Sequence, residues 1–321
     1  MILVKDLLNT LDCITKGRCV KSSADYSTNN FIITKSSNIP GKAVTELPGL
    51  IYGDPNMEIR KIAIIMTLTE SAIELAAASN VDAIIAHHPI ADACNSGGLL
   101  LKDYLGLYNI AVFELHEAFH GLHPGIPYLH GHNVIYSNLN YGDIPGNVVY
   151  IGETYEEIKT LGDILSRLDS FINNNSKNDF AQNKIKTSLS LKGEILLGNT
   201  NTPVNKLIHI FPHTGFSTKH LEQLLKDFPD VDTLLATVSR VYPPHPLIDK
   251  AKEFNLNFIC GNSHTVEILE NGIPLAYAIK SLLPEVEIVL FREIMESIPL
   301  DLVGNKEMRN YGKFIAKNYL T

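Results

Sequence analysis

The feature that most constrains the fold is a regular alternation of short apolar runs with longer amphipathic segments, beginning at Lys61. The run Val81–Ala86 is apolar at nearly every position, as expected for a strand inside a parallel sheet that helices cover on both faces. Strands that alternate with helices of about ten residues or more are typical of α/β units. We therefore predict an α/β fold.

Apolar spacing predicts the individual elements, which fall into strands, helices and loops. The predicted strands are Ile62–Met66, Val81–Ala86, Ile110–Leu115, Leu207–Phe211, Thr233–Thr237, Asn257–Cys260 and Glu287–Phe291. The predicted helices are residues 1–20, Glu70–Ser79 with Thr69 as its cap, Leu99–Leu107, Tyr155–Ile172, Thr218–Asp227, Pro246–Phe254, Thr265–Leu283 and the tail from Gly304. Residues 21–48 form a long polar loop with an apolar island at Phe31–Ile33 that suits a short strand, and Asn173–Lys184 form a polar surface loop.

Charge and composition exclude several classes of function. The formal net charge is -8 and the isoelectric point is about 5.8, without the clustered Lys and Arg that phosphate backbones require. No apolar run reaches the ~18 residues of a membrane span, and the first residues have no basic segment or cleavage site of a secretory signal. The 4 cysteines are scattered and form no CxxC pair. We expect a cytoplasmic protein with no nucleic-acid or membrane partner.

Histidines are unevenly distributed and follow the predicted strands. Of the 12 histidines, none precedes His87, and a dense group lies between His87 and His132. Histidine follows four predicted strands directly or within a few residues, at His87-His88, at His116 and His120, at His213, and at His264. Ligands of open α/β sheets bind beyond the carboxyl ends of the strands, so we expect a site built from these segments.

Imidazole and carboxylate together are the ligands that suit Zn, Mn, Fe or Ni. Because adjacent residues of a strand point to opposite faces, His87 and His88 can bind one ion only if the chain turns at Pro89. Two neighbouring ions, one for each histidine, fit the pair equally well. Glu267 is the best candidate for a carboxylate that bridges them, since it lies three residues after His264 at a helix start.

The remaining candidates carry alternative roles. His120 is a candidate ligand, and His116 is either a proton-transfer group or a residue that orients a ligand from behind. Glu117 and Glu114 are each a ligand, a base or a surface residue, and His213 is a ligand or a structural residue. The histidines expected to be structural are His209, His220 and His245, and those expected on the surface, in a glycine-rich loop, are His130 and His132. The sequence has no GxSxG, P-loop, HExxH or dinucleotide-binding motif.

The segment Pro48–Pro55 and the stretch from Lys61 to Ile90 together resemble the NIF-three-like dinuclear-metal family, whose pattern is GLxxGDP followed by DxIIxHHP. The match over residues 48–90 is continuous, and residues 110–121 and 257–268 match the two other metal segments of the family more loosely. That family is also described as type-two homologues of GTP cyclohydrolase I, but nothing in this sequence indicates recognition of guanine.

The resemblance implies mixed sheets flanked by helices in two lobes around a two-metal site, assembled as a toroidal homohexamer. Residues 1–135 and 236–321 would form the first lobe and 136–235 the second. By position, His87 and His88 match the family's histidine pair, His116 the histidine of its HTNLD segment, and Glu267 its closing glutamate. His120 stands at an aspartate ligand, Ser263 at the last histidine with His264 beside it, and Thr67 at a further aspartate.

These departures change the expected site. Histidine in place of aspartate lowers the negative charge and favours softer, nitrogen-preferring ions. We expect a metal-dependent hydrolase that acts on a nucleotide or other small molecule through a metal-activated water, with Glu117 or His116 moving the proton. The expected cofactor is one or two divalent ions per subunit (Zn, Fe, Mn or Ni), held by His87, His88, His120, His264 and Glu267. The alternatives are a non-catalytic metal-binding or regulatory scaffold and a homologue that binds no metal.

Overall fold

The computed structural model describes residues 1–36, 43–90, 101–138, 141, 144–173, 193–263, 267–292, 305–315 and 317–318. The chain divides into two compact units, and the first contains all described residues up to 292. Of the second unit the structure describes the helix Lys306–Ile315 and residues 317–318. In the described residues no helix is both long and apolar enough to cross a lipid bilayer.

The strands of the described residues are numbered in chain order. They are β1 Ile2–Leu3, β2 Ile33–Ser36, β3 Ala43–Glu46, β4 Gly49–Tyr52, β5 Glu58–Ile59, β6 Lys61–Ile65, β7 Ala83–Ala86, β8 Ala111–Glu114, β9 Tyr136–Asn138, β10 Val149–Glu153, β11 Glu194–Leu197, β12 Lys206–Ile210, β13 Thr233–Val238, β14 Asn257–Ser263 and β15 Glu287–Leu290.

The helices of the first unit follow the same order. They are Val4–Ile14, Glu70–Ala78, Leu101–Tyr108, Gly125–His130, Leu161–Asn173, Thr218–Asp227, Pro246–Glu253 and Ile273–Leu282, with a π-helical segment Ile268–Gly272 before the last of them. The predicted cap is confirmed, because the Thr69 side chain accepts a hydrogen bond from the Ala72 amide. A cap of this kind contributes about 1 kcal/mol.

The first of two large sheets in the described residues has the order β15-β6-β7-β8-β4, with β4 antiparallel and the others parallel. Every residue of β7 is buried, because helices cover both faces. Ile84 packs in the cluster that contains Ile73 of the helix Glu70–Ala78, whereas Ile85 packs with Leu7 and Ile279 from the helices of the opposite layer. The prediction that this strand is covered on both faces is confirmed.

The second large sheet has the order β11-β14-β13-β12-β10-β9 in the described part of the chain. Its three central strands, β12, β13 and β14, are parallel, and β10 and β11 pair antiparallel to their neighbours. β14 pairs with β13, so this sheet takes strands from both sides of the predicted lobe boundary at residue 235. The expectation of an α/β fold with mixed sheets is confirmed, while the lobe boundaries stay a prediction.

Several predicted elements differ from the structure in extent. The predicted helix Tyr155–Ile172 begins only at Leu161, because residues 155–160 form a turn and an isolated bridge. The strands β4 and β10 were not predicted; β10 pairs antiparallel with β12 and β9 in the second sheet. The predicted loop Asn173–Lys184 and the predicted helix start at Thr265 lie outside the described residues, apart from Asn173 itself.

A buried histidine cluster lies against the second sheet. His130, His132 and His209 are each 0% exposed, so the expectation that His130 and His132 lie on the surface is wrong. The glycine-rich loop suggested exposure, but His130 ends the helix Gly125–His130 and His132 forms a bridge with Thr154, and both side chains are buried. His132 Nε2 lies 2.8 Å from His209 Nδ1, and His209 Nε2 lies 2.7 Å from the Thr237 hydroxyl. His209 is structural, as predicted.

Burial lowers the pKa of His130 to about 4 and that of His132 to about 3, and it lowers the pKa of His209 strongly. In the unfolded chain a histidine binds a proton below about pH 6.5. The unfolded state therefore binds more protons than the folded state as the pH falls, and the folded state is destabilised.

We predict that the melting temperature is nearly constant above pH 7 and falls from pH 6.5 to pH 5, where most carboxylates have not yet titrated. A loss of roughly 1–2 kcal/mol would lower Tm by about 2–8 °C in a chain of this size. Scanning calorimetry of the wild type and of His132→Gln tests this, and the variant should show the shallower pH dependence. A wild-type Tm that rises or stays constant over this interval would contradict the assignment.

Candidate metal centre

His87 is placed by the end of β7 and oriented by the neighbouring strand. Its backbone amide continues the ladder by donating to the Ile65 carbonyl at 3.0 Å. Its ring Nδ1–H donates to the Leu115 carbonyl, at the end of β8, at 2.8 Å. That bond puts the proton on Nδ1 and leaves the Nε2 lone pair as the acceptor, the pattern found in metal-ligating histidines. The side chain is 3% exposed and faces the interior.

One carboxylate spans the histidine pair. Glu267 Oε1 lies 3.2 Å from His87 Nε2, and Glu267 Oε2 lies 3.1 Å from His88 Nε2. The two rings converge although the residues are adjacent, because the strand ends at Ala86 and the chain bends there. Thr67 holds the other side of His88, with its hydroxyl 2.7 Å from Nδ1. This is the geometry expected of a carboxylate that bridges two ligands.

His120 completes the group from the segment after β8. Its Nε2 lies 3.2 Å from His87 Nε2, and its Nδ1 lies 3.1 Å from Glu117 Oε2. Two ligand atoms on a tetrahedral zinc ion, each about 2.0–2.1 Å from the metal, lie about 3.3 Å apart. The spacings of His87 with His120 and of His87 with Glu267 fit that value. Ring nitrogens of His87, His116 and His120 all lie within 4.8 Å of one another.

A second group of donors surrounds His116. Its Nδ1 lies 2.9 Å from Glu46 Oε2 and 3.9 Å from Glu117 Oε1. Glu46 is 2% exposed and lies at the end of β3. Ligand atoms of Glu46, His116 and Glu117 also lie within 4.8 Å of one another. Sequence reasoning missed Glu46, because nothing in the polar segment 21–48 distinguishes this carboxylate from its neighbours.

The pKa values of His87 and His120, whose Nε2 atoms face each other, shift in opposite directions. Burial lowers the pKa of His87 to about 3, against the opposing effect of Glu267. Burial also acts to lower the pKa of His120, but the hydrogen bond and charge of Glu117 outweigh it, and the net shift is upward. His87 is thus held as a neutral acceptor, which is the form that binds a metal ion. The carboxylates supply the negative charge that a divalent cation requires.

Asn271 contacts the Glu267 carboxylate, and the Gly146 backbone lies close to the Glu117 carboxylate. The Asn271 amide donates to Glu267 Oε1 at 3.0 Å and lies 3.2 Å from His87 Nε2. Its position four residues after Glu267 on a helix is a spacing from which the sequence could have predicted it. A Cβ at Gly146 would lie 1.8 Å from Glu117 Oε2, so only glycine allows the backbone to approach this carboxylate.

Glu114 has a structural role. Its two carboxylate oxygens accept hydrogen bonds from the backbone amides of Leu47 and Ile90, each at 3.0 Å. These bonds tie the segment after the histidine pair and the segment after Glu46 to the end of β8. Glu114 is 2% exposed, so its predicted surface role is wrong, and these bonds make it a buried structural carboxylate.

A cavity opens directly on the candidate centre. Its walls include donors of the centre and apolar side chains. The lining residues are His116, His120, Gly121, His123, Ile126, Gly146, Val148, Tyr150, Phe211, Thr214, Val238, Glu267 and Asn271.

The structure brings most of the predicted site residues together, and the others lie outside the part of the chain that it describes. His87, His88, His116, Glu117, His120 and Glu267 converge at the ends of β7 and β8 and at the start of the π-helical segment. His264 lies outside the described residues, as does the side chain of His213. That the gathered side chains bind an ion remains a prediction. The donor set fits a divalent ion of the zinc or iron type in chemistry and spacing.

Comparison with known proteins identifies the family of this chain. A profile of the Duf34/NIF3 (NGG1p interacting factor 3) family matches residues 31–210, more than half of the chain. The chain belongs to the DUF34/NIF3 family. The resemblance seen in the sequence is therefore confirmed. No curated protein matches the chain.

Solved structures of similar fold cover nearly the whole chain. Staphylococcus aureus protein SA1388 is 15% identical with a TM-score of 0.57, over 93% of this chain and 99% of that one. A Bacillus cereus protein related to NIF3 is 12% identical with a TM-score of 0.57, over 93% and 99%. Reduced HcgD from Methanocaldococcus jannaschii is 16% identical with a TM-score of 0.56, over 90% and 97%. At these identities the likeness shows the NIF3-like fold.

We predict that His87→Ala loses most of the bound metal, because it removes the nitrogen that faces both His120 and Glu267. Elemental analysis of protein purified in the presence of Zn²⁺ measures the change. His245→Ala is the matched control, since that side chain caps the helix Pro246–Glu253 by accepting from the Leu247 amide. Unchanged metal content in H87A would contradict the assignment of the centre.

Asn271→Leu should weaken metal binding about 10- to 100-fold without abolishing it, because it removes the donor that orients Glu267. Competition with a chelator of known affinity gives the change in dissociation constant. Asn271→Asp is the companion variant, because it replaces the amide donor with a carboxylate of nearly the same size. An affinity unchanged in N271L would show that Glu267 does not depend on this contact.

Proposed function

We propose that this protein is a metal-dependent hydrolase that acts on a small molecule in the cavity beside the centre. A divalent ion held by His87, His120 and Glu267, with His88 on the other oxygen of the carboxylate, would supply Lewis acidity and an activated water at neutral pH. The observation that carries the proposal is the position of the donors. His116, His120, Glu267 and Asn271 line the cavity, so the centre is accessible to a substrate.

The same observation favours catalysis over a scaffold role. A purely structural metal site has all of its ligand positions filled by the protein and is closed to solvent. Here His87 is buried, whereas His116 and His120 are partly exposed and face the cavity. A site closed on one side and open on the other is the arrangement of catalytic metal centres.

His116 is the proton-transfer group in this proposal. Its Nδ1 lies against the buried Glu46 carboxylate at 2.9 Å, which fixes the proton there and leaves Nε2 as the base. Glu117 does not line the cavity and contacts His120 Nδ1 at 3.1 Å and His116 Nδ1 at 3.9 Å. Glu117 therefore orients both rings, and of the two candidates His116 is the one that can reach a substrate.

His116→Gln should lower kcat about 10²- to 10⁴-fold, the usual contribution of a general base, while metal content stays near that of the wild type. Release of nitrophenolate from p-nitrophenyl acetate and from bis(p-nitrophenyl) phosphate gives the rate, with and without EDTA. Loss of metal in H116Q would assign His116 as a ligand instead. Zn²⁺-loaded wild type that turns over neither compound faster than free Zn²⁺ would favour the scaffold role.

We further propose a cytoplasmic location and a homohexameric assembly for this protein. An acidic chain without a basic stripe suits a cytoplasmic enzyme of small-molecule substrates that binds no nucleic acid. The family resemblance suggests a homohexamer with two ions in each subunit. The carboxylate of Glu267 shared between His87 and His88 supports a second ion beside the first.

A further inference from the structure

The cavity beside the centre is lined by a cluster of apolar side chains as well as by the candidate metal-binding donors. Ile126, Val148, Tyr150 and Phe211 form one buried cluster, with Val238 packed against it, and all five side chains line the cavity. Tyr150 and Phe211 lie with ring centroids 6.3 Å apart at an interplanar angle of 72°. Aromatic side chains in such edge-to-face contact offer favourable positions to a further aromatic ring.

Tyr150 contributes a polar group to this wall. The residue is 3% exposed and lines the cavity. Burial, together with the charge of Glu270, raises the pKa of Tyr150, so the phenol stays protonated and is a hydrogen-bond donor. A hydroxyl on the cavity wall can donate to an acceptor on a bound ligand.

The charges around the cavity favour an uncharged occupant. Among the described residues that line it there is no Lys or Arg, and the ionisable groups are Glu267, Tyr150 and three histidines. Recognition of phosphate groups in proteins depends on Arg, Lys or arrays of backbone amides. A nucleoside triphosphate would meet the Glu267 carboxylate here, with no Lys or Arg among the described residues that line the cavity.

We propose that the substrate is an uncharged aromatic amide or ester, with its ring on the wall of Val148, Tyr150 and Phe211 and its carbonyl at the centre. This assignment rests on the proposed function and narrows it. In the reaction, water oxygen bonds to the carbonyl carbon, the bond from that carbon to the leaving nitrogen or oxygen breaks, and the leaving atom takes a proton from the attacking water. Tyr150 donates to an acceptor on the ring.

Two hydroxamates that share one metal-binding group test the ring assignment. Benzohydroxamic acid carries a phenyl ring, and acetohydroxamic acid carries a methyl group in its place. Isothermal titration of each into the Zn²⁺-loaded full-length protein should show benzohydroxamate binding at least about tenfold tighter, which corresponds to about 1.4 kcal/mol. GTP should bind more weakly than benzohydroxamate and should not displace it at equal concentration.

Variants of the wall locate the preference. Phe211→Leu should reduce the advantage of benzohydroxamate severalfold and leave the affinity for acetohydroxamate unchanged. Phe254→Leu is the matched control, because it makes the same substitution at an exposed phenylalanine that does not line the cavity. An equal loss in both variants would show general damage to the protein and would overturn the assignment of the ring to Phe211.

These measurements distinguish a failure of the aromatic-substrate proposal from a failure of the hydrolase proposal. Equal affinity for the two hydroxamates would leave the metal centre and the hydrolase proposal standing and would overturn the aromatic substrate. Tighter binding of GTP than of benzohydroxamate would overturn it in favour of a nucleotide. Failure of both hydroxamates to bind Zn²⁺-loaded protein would show that the ion does not face the cavity, and both proposals would fall.

Discussion

The hydrogen bond from His87 Nδ1 to the Leu115 carbonyl connects the fold to the chemistry of the site. It forms because β7 and β8 are parallel neighbours whose carboxyl ends reach the same edge of the sheet. The bond selects one tautomer of His87 and directs Nε2 towards His120 and Glu267. A change in strand register would move the carbonyl and lose the orientation. The geometry of the centre is therefore a consequence of sheet pairing.

Much of the fold and of the candidate centre could be predicted from the sequence, because the local apolar pattern and the sheet topology agree there. The apolar run before His87 predicted a strand covered on both faces, and the rule that ligands bind beyond strand ends pointed to His116, His120 and Glu267. Those side chains do converge. The residues that sequence reasoning missed act across long separations. Glu46 reaches His116 from a strand that no pattern predicted, and Gly146 reaches Glu117 through a contact that has no local signature.

The buried histidines show the limit of composition as a guide. A glycine-rich segment with two histidines resembles a surface loop, yet His130 and His132 are fully buried against the second sheet. What decides their burial is the packing of the helix Gly125–His130 between the π-helical segment and the helix Leu161–Asn173. That packing depends on residues over one hundred positions away. Long-range packing of this kind overrides local propensity, which single-sequence reasoning cannot weigh.

Side chains of the π-helical region face two different environments. Glu267 and Asn271 face the candidate centre, whereas Glu270 faces His130 at 4.0 Å in the buried cluster. Single π-helical turns are rare in helices and occur frequently at functional sites, since the extra residue changes which side chains share a face. Here the turn allows one short segment to position a carboxylate and an amide at the centre and a second carboxylate behind it.

The central claim is that an ion binds between His87, His120 and Glu267. Crystals of the protein grown with Zn²⁺, with data collected on both sides of the zinc absorption edge, test it most directly. We expect an anomalous difference peak about 2.0–2.1 Å from His87 Nε2 and from His120 Nε2, with a Glu267 oxygen as a further ligand. Anomalous peaks only elsewhere on the chain, or none at all, with these side chains ordered would contradict it.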